Sequence, residues 1–510
     1  MSRFSTSSAR LATRLAFAAL LATCASPAMA GGPQALPTPA ATSTQLPAGG
    51  PETPPAPSPT PVPGGEEEAG DAAAKATDQS GGAAAEGEAP PQEAEETNPG
   101  AVAFTDYRPF DLESIQPQTF DSRWKGFVAG LQGLTRYSLF DEAVKFRLGG
   151  RFQVDATAGD GNEAFQSFYG PIEADLGFRR GAIFAVGRVK EFNFEFAFDF
   201  GADWGVDSAW IEGAEGGLEV WGHYLGKLRL GFMSEPFSLE RQTSGYNTSF
   251  LERSLPVQTF SPGSNIGAMV HNVGERGRIA WAVGLFSVGR SNDQNASTSQ
   301  GSVTGRVSWL PVYRDGGRRL VHLGLAASSR SPTGGDLRYR SRPEARYVIY
   351  LANTGNFSTS RVRLMGAELA TVNGPLWAAA EHILSDVSAD TLDNPVFRGS
   401  YIQVGWFITG ETRPYRTNSG SFDRVRPLTK WAGGSPFKER GSGAWEIVGR
   451  VSTVDLEDGL VEGGELLDFG AALNWYVNAT TRIGLNYIRA QPEDRGSANI
   501  VVLRLQYNPW

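Results

Sequence analysis

Apolar and polar residues alternate in short runs throughout residues 143–510. The clearest run is 191–200, where five phenylalanines occupy one face and Glu, Asn, Glu, Ala and Asp occupy the other. Such alternation is typical of a β-strand, because successive side chains point to opposite faces of a sheet. The same pattern recurs at 145–155, 467–478 and 482–487. The pattern therefore predicts an all-β domain of about 16 strands.

Two architectures accommodate strands that are apolar on one face. A soluble β-sandwich buries that face between two sheets, whereas a transmembrane β-barrel turns it toward lipid and keeps the polar face in the lumen. Strand patterns continue with no helical domain between them, and charges occupy successive polar-face positions, which favours an antiparallel barrel. A secreted β-sandwich that binds glycans is the remote alternative. Five tryptophans near strand ends suit the interfacial girdles of a barrel: Trp210, Trp309, Trp406, Trp445 and Trp475.

The residues before the barrel form three segments of different character. Residues 1–30 have the features that predict a signal peptide: a basic N-terminal region, a short apolar core (15–22) and small residues before a cleavage site. Residues 31–100 contain no aromatic residue, many prolines, eleven acidic residues and one lysine. Such a segment cannot bury enough apolar surface to fold, so we expect a disordered tether. Residues 101–142 are predicted to be a lead-in segment, either a periplasmic cap or a simple connection, before a barrel predicted at 143–510.

Composition argues against several classes of function. Cys24 is the one cysteine, so neither a disulfide framework nor a cysteine-ligated metal site is expected. The histidines His223, His271, His322 and His382 never pair at metal-ligand spacing. No Ser/His/Asp set appears, and His223 and His382 lie near no obvious partner serine motif. A net charge of −9 argues against a nucleic-acid binder. We expect no enzyme activity, no cofactor and no metal.

Three stretches of the barrel region carry distinctive motifs. In chain order they are RR at 179–180 with DSAWI at 207–211, GKLRLGFMSEPFSLE at 226–240 with FLERS at 250–254, and GAWEIVGRVS at 443–452 with NWYVN at 474–478. These stretches resemble the phosphate-selective porin O/P family of outer-membrane proteins. The resemblance covers about residues 140–510, and the tether has no counterpart in it.

The resemblance implies a trimeric 16-stranded barrel with arginines along the lumen and a long third loop that folds inward as a constriction. Here that loop is about 234–264, and it contains no lysine, although the family's phosphate preference relies on lysines at the constriction. The implied partners are outer-membrane lipid, small anionic solutes, two further copies of the chain and the barrel-assembly machinery. The implied location is the outer membrane of a Gram-negative-type bacterium, with the tether in the periplasm. The charged residues of the constriction loop are Glu235, Glu240, Arg241, Glu252 and Arg253.

The lumen side predicted by strand alternation is rich in cations. Arginine suits oxyanions, because its planar fork donates two parallel hydrogen bonds and keeps its charge. We therefore predict passive diffusion of small anions, with phosphate and other oxyanions as candidates. The alternative is a general or cation-leaning porin, because Glu191, Glu195 and Asp199 share the inward face. The predicted anion path comprises Lys145, Arg147, Arg151, Arg179, Lys227, Arg229, Arg450, Arg482 and Arg504.

Overall fold

The computed structural model describes residues 136–139, 144–213, 217–220, 223–287, 299–390, 393–429, 431 and 441–509. The predicted signal peptide and tether lie outside these residues, as does most of the predicted lead-in. From the lead-in, Arg136–Leu139 pairs antiparallel with residues 144–147 at the start of the first barrel strand.

Sixteen antiparallel strands form a closed barrel, because the last strand pairs with the first, with Arg504 opposite Asp155. This confirms the predicted transmembrane β-barrel and its strand number. The strands are β1 (Val144–Gly161), β2 (Asp175–Val189), β3 (Phe192–Asp199), β4 (Gly205–Gly213), β5 (His223–Ser234), β6 (Ser264–Val273), β7 (Ile279–Ser287), β8 (Ser299–Arg314), β9 (Arg319–Pro332), β10 (Phe357–Asn373), β11 (Leu376–Ala389), β12 (Val396–Phe407), β13 (Ala444–Asp458), β14 (Val461–Tyr476), β15 (Thr481–Pro492) and β16 (Ala498–Tyr507).

Apart from local bulges, the strands alternate between a lipid side and a lumen side, as a membrane barrel requires. On β15, Leu485 and Tyr487 are exposed on the outer face, whereas Arg482 and Asn486 are buried on the inner face. The prediction that Trp210 belongs to the aromatic girdle is wrong. Trp210 is buried on the inner face, where the Arg229 guanidinium carbon lies 4.0 Å from its ring centroid.

Both chain ends of the barrel lie at the same end, here called the terminal end, and the opposite end is called the loop end. Three long connections carry buried residues: loop A (235–263) and loop B (333–356) at the loop end, and loop C (408–429) at the terminal end. The helices are α1 (Glu163–Tyr169) after β1, and α2 (Leu239–Gln242) and α3 (Leu255–Phe260) in loop A. Short strands lie at Leu218–Val220, Asp336–Leu337, Arg340–Ser341, Ala352–Asn353, Tyr415–Arg416 and Ser421–Phe422.

The apolar core lies inside the barrel, between the inner loops and the wall. Phe237, Leu255 and Phe260 of loop A and Tyr339 of loop B are each 2% exposed or less, and they cluster with inward residues such as Val454. The Phe260 and Tyr339 rings meet edge to face at 5.0 Å. No helix among the described residues is long and apolar enough to cross a membrane.

Inward-facing glycines make room for apolar side chains of loop A. A Cβ on Gly470 would lie 2.6 Å from the Phe250 ring, and one on Gly484 would lie 2.7 Å from Leu251. A Cβ on Gly399 would lie 2.9 Å from Pro256. Real Cβ contacts are longer than this. Loop A can therefore pack this closely against the wall only because these positions are glycines.

Candidate functional site

A β-bulge on β2 turns two consecutive arginines into the lumen. Gln153 pairs with Arg180 but Val154 pairs with Phe178, so Arg179 has no partner in the β1–β2 register. Phe178 points outward and is exposed, whereas the Arg179 side chain is buried and Arg180 lies beside loop A. Strict alternation allows only one of the two arginines to face inward, and the extra residue of a bulge removes that restriction.

Arg179, from the predicted anion path, is tied to acidic groups. Its Nε donates to Glu252 Oε1 at 2.6 Å, and its Nη1 donates to Asp203 Oδ2 at 2.5 Å. Glu252 also accepts from Arg504 Nη2 at 2.8 Å. Burial alone would raise the pKa of Glu252, but Arg179 and Arg504 hold it well below its usual range. Glu252 therefore joins loop A to β2 and β16 as a carboxylate.

Arg450 on β13 fastens loop A and loop B to the wall. Its Nη1 lies 3.0 Å from Glu240 Oε1 of loop A, and its Nε donates to Glu344 Oε2 of loop B at 2.7 Å. The guanidinium carbon also lies 3.9 Å from the ring centroid of Phe250. This predicted path residue is fully engaged by the inner loops.

Two further predicted path arginines also hold loop A. Arg482 donates to the backbone carbonyls of Thr248 and Ser249, each at 2.6 Å. Arg504 forms a bidentate pair with Asp155, with both distances 2.6 Å, and donates to the Leu251 carbonyl. Together with Arg179 and Arg450, these residues anchor the loop. Carboxylates pair with Arg179, Arg450 and Arg504, whereas Arg482 donates to backbone and Asn474 oxygens.

The other predicted path residues occupy the β1 and β5 walls. Lys145 is exposed near the terminal end, and Arg147 and Lys227 are buried. Arg229 Nε donates to Glu212 Oε2 at 2.8 Å. Arg151 pairs with Asp207 at 3.1 Å, while its Nε has no hydrogen-bond partner among the residues described.

The acidic residues assigned to the inward face differ in their placement. Glu191 lies exposed in the turn between β2 and β3 rather than on the lumen wall, so that assignment is wrong. Glu195 accepts from the Ser208 hydroxyl at 2.7 Å, and Asp199 accepts from the backbone N–H groups of Gly181 and Gly201. The two inward acids are therefore hydrogen-bonded within the wall.

Glu235 begins loop A and is its most densely bonded acid. It accepts from Asn265 at 2.5 Å, from Arg330 at 2.7 Å, and from the hydroxyl groups of Ser302 and Thr304. These donors come from β6, β8 and β9, so Glu235 fixes the start of the loop across three strands. Its position fits a structural role.

Three arginines meet near the middle of loop A. Arg253 donates through Nη2 to the carbonyls of Arg241 and Thr243, and its Nε has no partner within the described part of the chain. Burial, together with the neighbouring charges of Arg241 and Arg180, lowers the pKa of Arg253 to about 9. Burial is the largest cause of this shift, and the two neighbouring guanidinium groups add to it while Glu240 and Glu252 oppose it.

Tyr246 of loop A lies between two of the lumen cations. The guanidinium carbon of Arg151 is 4.4 Å from its ring centroid, and that of Arg180 is 5.9 Å away. The Tyr246 hydroxyl is buried and has no hydrogen-bond partner among the described residues. Burial raises the pKa of Tyr246 even though both arginines oppose the shift, so the hydroxyl stays protonated as a donor.

We call Arg151, Arg180, Tyr246 and Arg253 the loop A arginine site. Sequence reasoning selected Arg151 and Arg253 but missed Arg180 and Tyr246. The RR pair at 179–180 was the available signal for Arg180. Both arginines can face the lumen only because of the bulge, which the sequence pattern did not predict. No pattern in the sequence singled out Tyr246, because its role comes from the folding of loop A against β1 and β2.

One serine–histidine contact escaped the sequence analysis. His382 Nδ1 lies 2.7 Å from Ser400 Oγ, on neighbouring strands and on the outward face of the barrel. The expectation that His382 lacks a serine partner is therefore wrong. The contact satisfies two polar groups on a lipid-facing surface. Among the described residues, no three His, Cys, Asp or Glu side chains group as metal ligands.

Comparison with known families gives a match over most of the barrel. A family model described as "Phosphate-selective porin O and P" matches residues 146–508. Porin O of Pseudomonas aeruginosa is 26% identical over 420 residues, which is 72% of this chain and 89% of that protein. An uncharacterized protein of Caulobacter vibrioides is 30% identical over 269 residues, which is 49% of this chain and 51% of that protein. The chain thus spans about half the length of the Caulobacter relative.

Solved porin structures share little sequence with the chain. An anion-selective porin from Comamonas acidovorans aligns with a TM-score of 0.41 and 10% identity, over 71% of this chain and 99% of that one. OprB of Pseudomonas putida aligns with a TM-score of 0.43 and 11% identity, over 74% of this chain and 96% of that one.

Proposed function

Because the chain belongs to the phosphate-selective porin O and P family, we propose that it is an outer-membrane pore that prefers small anions and selects them at the loop A arginine site. The family and the fold point to a channel rather than an enzyme. Conduction is passive, since a solute moves between weak sites without chemical change.

The observation that carries the proposal is the uneven pairing of the lumen arginines. Arg179, Arg450 and Arg504 each have carboxylate partners within 3.0 Å. In contrast, Arg253 is hydrogen-bonded to backbone carbonyls and lies beside other guanidinium groups. A permeating anion would supply the missing negative charge at this site, and the low-dielectric walls would strengthen that attraction.

The donors at the site suit oxyanions. The Arg151 Nε, the Arg253 Nε and the Tyr246 hydroxyl are buried donors without a protein partner among the described residues. Phosphate, sulfate and carboxylate groups present several acceptor oxygens, which match guanidinium and phenol donors. Loop A has no lysine, so we propose a preference for oxyanions in general rather than for phosphate alone.

The test is the reversal potential of the purified full-length protein in a planar bilayer under a KCl gradient, followed by titration with inorganic phosphate. We expect anion selectivity and a reduction of chloride current by phosphate. Anion selectivity without phosphate block would contradict the oxyanion site and leave a general anion pore. Cation selectivity would overturn the proposal and favour a pore controlled by acids such as Glu195 and Asp207.

The family and barrel support an outer-membrane location. Most connections at the terminal end are short, as is typical of the periplasmic side of such barrels. We propose that the terminal end faces the periplasm, which would also place the tether there. A homotrimer and delivery by the barrel-assembly machinery are further proposals from family membership, and cross-linking of membrane-embedded protein tests the first.

A further inference from the structure

Loop B is fastened to the barrel wall around one guanidinium group. Glu344 of loop B is 1% exposed, and its carboxylate contacts Arg450 through both Nε and Nη2 of the guanidinium. The same guanidinium donates to Glu240 of loop A. One cation thus joins both loops to β13.

A third carboxyl group completes this cluster. Asp468 on β14 is also 1% exposed, and its Oδ2 accepts from the Glu344 backbone N–H at 3.1 Å. Glu344 Oε1 and Asp468 Oδ1 are buried without a hydrogen-bond partner among the described residues. If Glu240, Glu344 and Asp468 were all ionised, their charge would exceed that of Arg450 by two in a space closed to water. Burying such unpaired charge is strongly unfavourable.

The neighbouring charged groups of loop B have other partners. The guanidinium carbons of Arg340 and Arg342 each lie 4.1 Å from the ring centroid of Tyr350. Arg346 pairs with Asp203 at 2.7 Å.

The elements packed against the cluster use their remaining groups elsewhere. From loop A, Glu252 binds Arg179 and Arg504 through its carboxylate and offers Arg450 only its backbone carbonyl. From β11, Glu381 accepts from the backbone N–H groups of Leu239 and Glu240, which adds a further acid near Glu240.

We propose that Glu344 and Asp468 retain a proton between them in mildly acidic solution, and that loss of this proton as the pH rises through neutrality releases loop B from the wall and enlarges the lumen. Burial, opposed by Arg450 and reinforced by Glu240, raises the pKa of Glu344 to about 7. A raised carboxyl pKa means that the attachment is most stable below the ordinary value of 4.5 and weakens as the pH rises through about 7.

The experiment measures single-channel conductance of the full-length protein in KCl from about pH 5.5 to about pH 9, together with amide hydrogen exchange of residues 333–356 in detergent. We expect both to increase with a midpoint near pH 7. Glu344→Gln keeps the neutral form at every pH, so its conductance and exchange should stay at the acid level. Asp468→Asn removes the neighbouring acid, so the midpoint should move to lower pH.

Glu493→Gln is the matched control. Burial and nearby Glu457 and Asp494 raise the pKa of Glu493 as well, but it lies in the turn after β15, away from loop B's attachment. This variant should respond like the wild type. The proposal would be overturned if conductance and exchange of the wild type were both independent of pH. It would also be overturned if the Glu344→Gln protein responded to pH like the wild type. The exchange measurement does not depend on ion preference. A pore without anion selectivity would therefore refute the proposed function but not the release of loop B.

Discussion

Arg179 Nε lies 2.6 Å from Glu252 Oε1, so a residue of β2 holds a residue of loop A inside the barrel. The sequence predicted Arg179 as part of the anion path and Glu252 as part of the constriction. In the structure the two neutralise each other, and Arg180, the next residue, contributes to the cluster around Arg253. The arginines that hold loop A and those that form the loop A arginine site are therefore different sets, and substitutions can separate them.

Arg180→Gln should reduce anion selectivity and leave the fold intact. The variant removes one positive charge beside Arg253 but breaks none of the attachments that Arg179 makes. We expect the reversal potential under a KCl gradient to shift toward zero. Arg361→Gln, which removes an exposed arginine from β10, is the control and should keep the wild-type value. Equal reversal potentials in all three proteins would exclude Arg180 from the selective site.

Arg450→Met should destabilise the protein by about 3–5 kcal/mol, because it leaves Glu240 and Glu344 buried without their cation. The measurement is unfolding of the detergent-solubilised barrel. Arg398→Met provides the control, since Arg398 pairs with Asp455 on the outer surface and such exposed pairs contribute about 1 kcal/mol or less. Similar losses in both variants would contradict an anchoring role for Arg450.

Gly470→Ala should displace loop A. The added Cβ would lie 2.6 Å from the Phe250 ring, and overpacking of this kind costs about 1–3 kcal/mol. Gly449→Ala is a matched control, because a Cβ there meets nothing within 4 Å. We expect altered conductance and lower stability only for Gly470→Ala, and partial recovery when Phe250→Leu is added. Failure of the second substitution to restore stability would argue against the seating of Phe250 over Gly470.

Tyr246→Phe should weaken phosphate block while leaving the KCl reversal potential unchanged. The variant removes one neutral donor, and a hydrogen bond of about 0.5–1.5 kcal/mol corresponds to a two- to tenfold higher blocking concentration. Tyr487→Phe is the control, since that hydroxyl binds Asn499 on the outer face. Unchanged block in Tyr246→Phe would show that the buried hydroxyl does not meet the anion.

Asp203→Asn should reduce stability near neutral pH and make unfolding less sensitive to acid. Burial alone would raise the pKa of Asp203, but Arg179, Arg180 and Arg346 lower it from 3.8 to about 2. A lowered carboxyl pKa stabilises the folded state above the unfolded value, and this stabilisation is lost as the pH falls through about 2. The shift corresponds to about 2 kcal/mol.

Unfolding of wild type and Asp203→Asn should therefore differ at pH 7 and converge near pH 2. The exposed Asp336→Asn is the control and should follow the wild type. A constant difference between wild type and Asp203→Asn across that range would rule out the ion pairs as its cause.

The strand pattern favoured the correct architecture over a β-sandwich, because a lipid face and a lumen face impose a period of two residues on the spanning strands. The run of phenylalanines at 191–200 illustrates this, since Phe192, Phe196 and Phe200 are exposed on the outside. Family resemblance then indicated the porin O/P family, which the match over 146–508 confirms. Trp210 was misassigned because proximity to a strand end does not determine which face a residue occupies.

The pairing of lumen charges could not be predicted from strand alternation. Alternation tells which face Arg450 occupies, but its partners Glu240 and Glu344 come from loops 210 and 106 residues away in the chain. Which arginines remain available to a solute depends on how those loops fold within the barrel. The cluster of Arg180, Arg253 and Tyr246 is therefore a property of the tertiary structure.

The bulge at Arg179 also gives the pore a simple route to a different charge. Removing one residue from the RR pair would restore strict alternation and leave one inward arginine, which could serve either the anchor or the solute path but not both. A one-residue deletion at this position would therefore change the number of inward-facing arginines without any change in strand number.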